Sequence, residues 1–112
     1  MSKNPSANLC KIAEKSLEES KAQSIIKLDL HNKSSLCDYM LIATGTSSRH
    51  VKSIIINIKK VFKKIGFNKI DAEEDENSNW IILDIGDIII HVFQEESREK
   101  YKLEELWHKP KD

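Results

Sequence analysis

The stretch Trp80-Ile81-Ile82-Leu83-Asp84-Ile85-Gly86-Asp87-Ile88-Ile89-Ile90-His91-Val92-Phe93 decides the fold. Two apolar, β-branched runs flank Gly86-Asp87, and a glycine free to adopt positive φ makes that pair the turn of a two-residue hairpin. With Ile85 facing Ile88 across the turn, period-two alternation sorts every side chain onto one of two faces. Ile81, Leu83, Ile85, Ile88, Ile90 and Val92 form a purely aliphatic face. At roughly 1.5–3 kcal/mol for each fully buried side chain, that face must meet the core. The opposite face pairs Trp80 with Phe93, Ile82 with His91 and Asp84 with Ile89. Large aromatics beside a carboxylate and an imidazole make a poor core and a candidate docking surface, because aromatic anchors ringed by polar groups dominate many interfaces. Alternatively, a C-terminal helix or turn through Tyr101, Leu103, Leu106 and Trp107 covers this face. The two readings coexist if Asp84, Asp87, His91 and the acidic run from Asp71 to Glu76 stay accessible to a basic partner.

Upstream of the hairpin, Asp71 to Asn79 is acidic and polar and reads as an exposed loop. Before it, Val51, Ile54, Ile55, Ile58, Val61, Phe62 and Ile65 fall on one helical stripe, with Lys52, Lys59, Lys60, Lys63 and Lys64 largely off it and Gly66 as the stop. The helix is entered through Gly45-Thr46-Ser47-Ser48, where a serine oxygen can cap the first turn. The nearly continuous apolar run from Cys37 to Thr44 predicts a central strand buried on both faces. A strand around Phe67–Ile70 would complete a crossover unit. Nearer the N-terminus, Ser24–Leu30 suits a strand. Pro5-Ser6 opens a first helix that ends near Lys21, with Leu9, Ile12, Ala13 and Leu17 on one face. Together these elements predict one α/β domain over residues 1–112, a mixed five-stranded sheet flanked by helices.

Composition narrows the function. The chain has 112 residues, 39% hydrophobic and 32% charged, with 18 Lys plus Arg balanced by 18 Asp plus Glu. These proportions are those of a folded domain rather than a disordered chain, and no global field exists to hold the whole molecule on phosphate. No stretch resembles a signal peptide or a membrane span, so the cytoplasm is the expected location. Cys10 and Cys37, far apart and without a C-x-x-C pair, read as small apolar residues rather than a disulfide or a zinc site.

The residues also carry a family resemblance. Asp38-Tyr39-Met40-Leu41-Ile42-Ala43-Thr44-Gly45-Thr46-Ser47-Ser48-Arg49-His50-Val51 resembles the D-Y-F-V-I-x-T-G-x-S-x-x-H-V signature of the ribosomal silencing factors, also called the Iojap family. The hairpin, with Gln94-Glu95-Glu96-Ser97-Arg98, is similar to that family's W-x-x-x-D-x-G-D-x-x-x-H-x-F-x-x-E-x-R segment. Tyr101 to Trp107 matches its closing Y-x-L-E-x-L-W. The likeness runs from Asp29 to Trp107, with two departures: Asp75 stands where the family usually has glycine, and Met40 where it often has phenylalanine.

The resemblance implies a nucleotidyltransferase-like α/β fold and a non-catalytic, cofactor-free role in translation control. Family members bind protein fourteen (uL14) of the large ribosomal subunit and block joining of the small subunit. The mixed hairpin face, read together with this resemblance, makes Trp80, Ile82, Asp84, Asp87, His91, Phe93 and Glu95 the expected partner-binding residues. A monomer or weak homodimer, with no membrane partner, is expected. The lysine side of the second helix reads as a solvated face, with a peripheral contact to ribosomal RNA as the sharper alternative. Against this stands an enzyme reading, in which the Gly45 turn cradles a nucleotide phosphate and Asp84 and Asp87 hold a metal. Ser47 as a plain cap is the simpler account. His31, His50, His91 and His108 show no ligand spacing, so hydrogen-bonded or solvated roles are expected for them and no metal site.

Overall fold

The computed structural model describes residues 5–30, 33, 37–74 and 79–95. Along the chain lie α1 (Pro5–Glu19), β1 (Gln23–Asp29), β2 (Tyr39–Gly45), α2 (Ser48–Lys64), β3 (Asp71–Glu74), β4 (Trp80–Ile85) and β5 (Ile88–Gln94). The hairpin β4–β5 takes the register that alternation predicts, from Ile85 opposite Ile88 to Trp80 opposite Phe93. Gly86 adopts φ +74° at the first turn position, where a side chain would be strained. Its N–H donates to the Asp84 carboxylate at 3.0 Å, which closes the turn.

β5 pairs with β2 in parallel, while β1 with β2, β4 with β5 and β3 with β4 are antiparallel. The result is a mixed sheet of five strands in the order β1-β2-β5-β4-β3. All seven residues of β2 are buried, as its unbroken apolar run requires. Both helices lie on the aliphatic side, where Cys10, Ala13 and Leu17 of α1 and Val51, Ile54, Ile58 and Phe62 of α2 join the hairpin's six aliphatic side chains in one core. None of those six is more than 3% exposed. Side-chain hydrogen bonds help hold α1 in place: the Ser6 hydroxyl donates to the Asp38 carboxylate at 2.9 Å, and the Asn57 amide of α2 donates to the Ser20 hydroxyl at 2.9 Å.

The two helices end alike. At α2, the N–H of Gly66 reaches Lys63 O and that of Phe67 reaches Phe62 O, and the Phe67 ring packs edge-on against Phe62 at 5.6 Å. At α1, the N–H of Lys21 reaches Glu18 O and that of Ala22 reaches Leu17 O. Both are Schellman closures, which require a left-handed residue after the cap. Gly66 fills that place at φ +103°, whereas α1 puts Lys21 there at φ +64°.

At two places the fold departs from the sequence expectation. No strand forms at Phe67–Ile70, because Phe67 is taken up in closing α2. The strand is Asp71–Glu74, inside the segment expected to be a loop, and it pairs with β4 from Asp71 opposite Asp84 to Glu74 opposite Ile81. All four of its side chains are exposed. An edge strand draws its order from backbone pairing, and charged side chains there discourage a further strand from adding on. The chain passing through α2 therefore runs from β2 to the far edge of the sheet. Residues 75–78 and the expected C-terminal helix or turn lie outside the described residues.

Candidate docking face

On the side of the sheet away from the two helices, the hairpin's mixed face divides along the strands. At the Trp80 end the side chains are packed. The Phe93 ring stacks on Trp80 at 6.0 Å and 25° and on His91 at 6.0 Å and 4°. Phe93 clusters with Leu28, Leu30, Cys37, Met40 and Ile42, and is 2% exposed. His91 is 8% exposed, and its Nδ1 has no hydrogen-bond partner among the described residues. Desolvation pushes the His91 pKa down to about 4, because burial disfavours the imidazolium. The imidazole is therefore neutral at neutral pH. Phe93 and His91 offer little surface to a partner, while Trp80 is half-buried.

Toward the turn the same face opens. Asp71, Ala72, Glu73, Ile82, Asp84 and Ile89 line one shallow cleft. Pairing builds it: Asp71 lies opposite Asp84 and Glu73 opposite Ile82 across β3–β4, and Asp84 lies opposite Ile89 across β4–β5. Two half-buried isoleucines thus sit beside three exposed carboxylates. This is a surface with an apolar floor and an acidic rim, suited to a basic partner.

The structure accordingly brings Ile82 and Asp84 together, and Trp80 with His91 and Phe93, but does not unite the seven expected residues. Asp87 is exposed at the hairpin tip, where its carbonyl accepts from the N–H groups of Asp38 and Tyr39 at 2.8 and 3.2 Å. Glu95 is exposed at the opposite end of β5, about 20 Å from Ile89 at the rise of an extended strand. Asp71, Glu73 and Ile89 stand outside the seven expected residues, although the sequence already marks the acidic run from Asp71 to Glu76 as accessible to a basic partner and sets Ile89 opposite Asp84. Acidic side chains alternating around Ala72 were the available signal for the first two.

The turn into α2 is occupied by structural work. A Cβ on Gly45 would meet Val51 Cγ2 at 2.8 Å, so glycine lets the helix approach the strand. Ser47 caps α2 by accepting from the His50 N–H at 3.1 Å. His50 Nδ1 accepts from the Thr46 N–H at 2.9 Å, which makes Nε2 the donor to Ser20 O at 2.9 Å, and the ring ties this turn to the end of α1. The Thr46 N–H and one Asp84 carboxylate oxygen, two of the groups that the enzyme reading would use, are engaged in the fold itself. Among the described residues no three His, Cys, Asp or Glu side chains gather as metal ligands. Burial pushes the Cys10 thiol up to about 11 and raises that of Cys37, so both behave as apolar filler. His31 and His108 lie outside the described residues.

Fold and face together describe a small α/β domain with one sheet side given to core packing and the other offering a cleft for contact. Comparison with known proteins agrees in sequence and shape. Residues 3–112 match the family model described as "Ribosomal silencing factor during starvation". The Haemophilus influenzae ribosomal silencing factor is 41% identical over 91 residues, covering 81% of this chain and 89% of its own. A crystal structure of a Chromobacterium violaceum protein superposes with a TM-score of 0.86 at 34% identity, covering 95% of this chain and 88% of its own. A mouse protein named for mitochondrial assembly of the ribosomal large subunit is 29% identical over 94 residues, covering 81% of this chain and 41% of its own. The chain belongs to the ribosomal silencing factor family.

Proposed function

We propose that this protein docks on protein fourteen (uL14) of the large ribosomal subunit through the acidic cleft and the adjoining Trp80 edge, and so prevents the small subunit from joining. The observation that carries the reading is the cleft itself, in which Asp71, Glu73 and Asp84 rim the apolar side chains of Ile82 and Ile89. Ribosomal proteins are basic partners for such a rim, and complementary charge raises the association rate and selects among partners. Trp80, Ile82, Asp84, Asp87 and Glu95 supply accessible contact, whereas buried Phe93 stacks on Trp80 and His91 in turn on Phe93. The family to which the chain belongs, and the mouse relative's naming for the large subunit, point to the same assembly.

Obstruction needs affinity and volume but no bond making, so the mechanism uses no catalytic residue and no cofactor. A domain seated where two large surfaces must meet opposes their contact by RT ln(1 + c/Kd), where c is its free concentration. The test is reassociation of purified subunits after magnesium is restored, read on a sucrose gradient. Saturating protein is expected to leave subunits apart. An undiminished peak of joined ribosomes refutes the proposal.

A further inference from the structure

The balanced charge of the whole chain conceals a separation. Eighteen cations offset eighteen anions overall, yet α2 carries Arg49, Lys52, Lys59, Lys60, Lys63 and Lys64 and no acidic residue. At spacings of three and four, Arg49, Lys52, Ile56, Lys60 and Lys63 make one line down the helix, about 21 Å long at 1.5 Å per residue. Every residue on that line is exposed, Ile56 to 52%. A shallow groove on this face is lined by Arg49, Lys52, Ile56, Asn57 and Lys60 together with Ser48 and Ser53, with no carboxylate among the described residues that line it. The acidic cleft lies on the other side of the sheet.

We propose that this outer face of α2 binds the phosphate backbone of RNA, as a second contact on the ribosome that accompanies the acidic cleft. The inference rests on the docking function proposed above and adds the partner of a different surface. A row of flexible ammonium groups with small hydroxyl side chains beside it suits successive phosphates, whose contacts position a protein without reading sequence. A helix lying on an anionic membrane needs an apolar face to bury in the lipid. Here that face is spent, since Val51, Ile54, Ile55, Ile58 and Phe62 are 4% exposed or less in the core, and the exposed Ile56 (52%) and Ile65 (48%), nine residues apart, fall on opposite sides of the helix and form no apolar stripe. Opposite charges on opposite sides also orient the molecule, presenting the cleft to basic protein while the helix meets RNA.

The experiment compares the full chain with the triple variant Lys52→Ala, Lys60→Ala, Lys63→Ala. A control variant, Lys11→Ala, Lys15→Ala, Lys33→Ala, removes the same charge from exposed positions elsewhere. Binding is measured against large subunits, a short RNA duplex, isolated protein fourteen and anionic phospholipid vesicles, each across a series of salt concentrations. The triple variant is expected to bind large subunits and RNA about tenfold more weakly, with the slope of log affinity against log salt smaller by about 3. Its affinity for protein fourteen and that of the control variant for RNA should stay unchanged. Equal salt slopes for wild type and triple variant on large subunits overturn the inference, as does binding by this face to vesicles but not to RNA. Loss of binding to protein fourteen by the wild-type chain would instead strike the cleft reading, leaving the RNA contact to stand or fall on its own slope.

Discussion

The two faces of the β4–β5 hairpin come from one alternation, yet they end in different states. On the aliphatic face, burial is uniform along both strands because α1 and α2 lie across all of it. On the mixed face, the side chains run from 2% exposed at Phe93 to exposed at Asp84, within a single pair of strands. Alternation assigns a side chain to a face. What lies beside and above that face decides whether the side chain is structural or available, so a docking surface occupies only part of a chemically mixed face.

The largest expected effect sharpens that contrast. Leu83→Ala or Ile90→Ala removes a side chain with no exposure from the aliphatic core and should cost about 3–4 kcal/mol in denaturant unfolding. Ile89→Ala, from the half-open end of the mixed face, should cost about 1 kcal/mol, because less apolar surface is returned to water. Equal losses would erase the distinction between the faces.

The second effect follows from His91. Its folded pKa lies below the unfolded value of about 6.5, so the unfolded chain binds the extra proton and stability contributed by the neutral ring is complete only above that pH. It is lost as pH falls from 6.5 toward 4, by up to about 3 kcal/mol. His91→Phe keeps a ring against Phe93 while removing the titrating nitrogen. Its unfolding free energy should fall less steeply over that window than that of the wild type, and an identical pH profile would show that His91 is not desolvated.

Two smaller effects separate docking from folding. Asp71→Lys with Glu73→Lys reverses the rim of the cleft on an edge strand that tolerates lysine, and should weaken large-subunit binding by about 1–2 kcal/mol with little change in melting. Unaltered affinity would move the docking surface elsewhere. Least of all, Lys21→Gly relieves a left-handed side chain at the end of α1 and should stabilise the fold by about 0.5–1 kcal/mol, measured by thermal unfolding. A destabilised variant would mean that the lysine side chain holds that closure together.

The hairpin and α2 were legible because each is written twice, once in its apolar pattern and once in its turn or cap. Gly86-Asp87 and Ser47 mark the boundaries that the alternation and the stripe imply. β3 was not legible as a strand, since Asp71, Glu73 and Glu74 draw their order from the backbone of β4 and carry no apolar signal of their own. Its place at the far edge of the sheet was equally hidden, because nothing local to a strand names its neighbour. For the candidate site, the pairing of Trp80 with Phe93 and Ile82 with His91 was readable, but burial of Phe93 and His91 was not. That burial depends on Met40, Ile42 and Leu28, brought in from β2 and β1 by long-range pairing. The overall charge balance misled in the same way, since summing along the chain hides the separation of α2 from the cleft.

The most direct test of the docking account places a photo-reactive side chain at position 84, in the cleft, or at position 56, on the outer face of α2, and crosslinks each variant to large subunits. Position 84 is expected to capture protein fourteen and position 56 to capture RNA. Capture of protein fourteen from position 56, with nothing ribosomal attached at position 84, would contradict it.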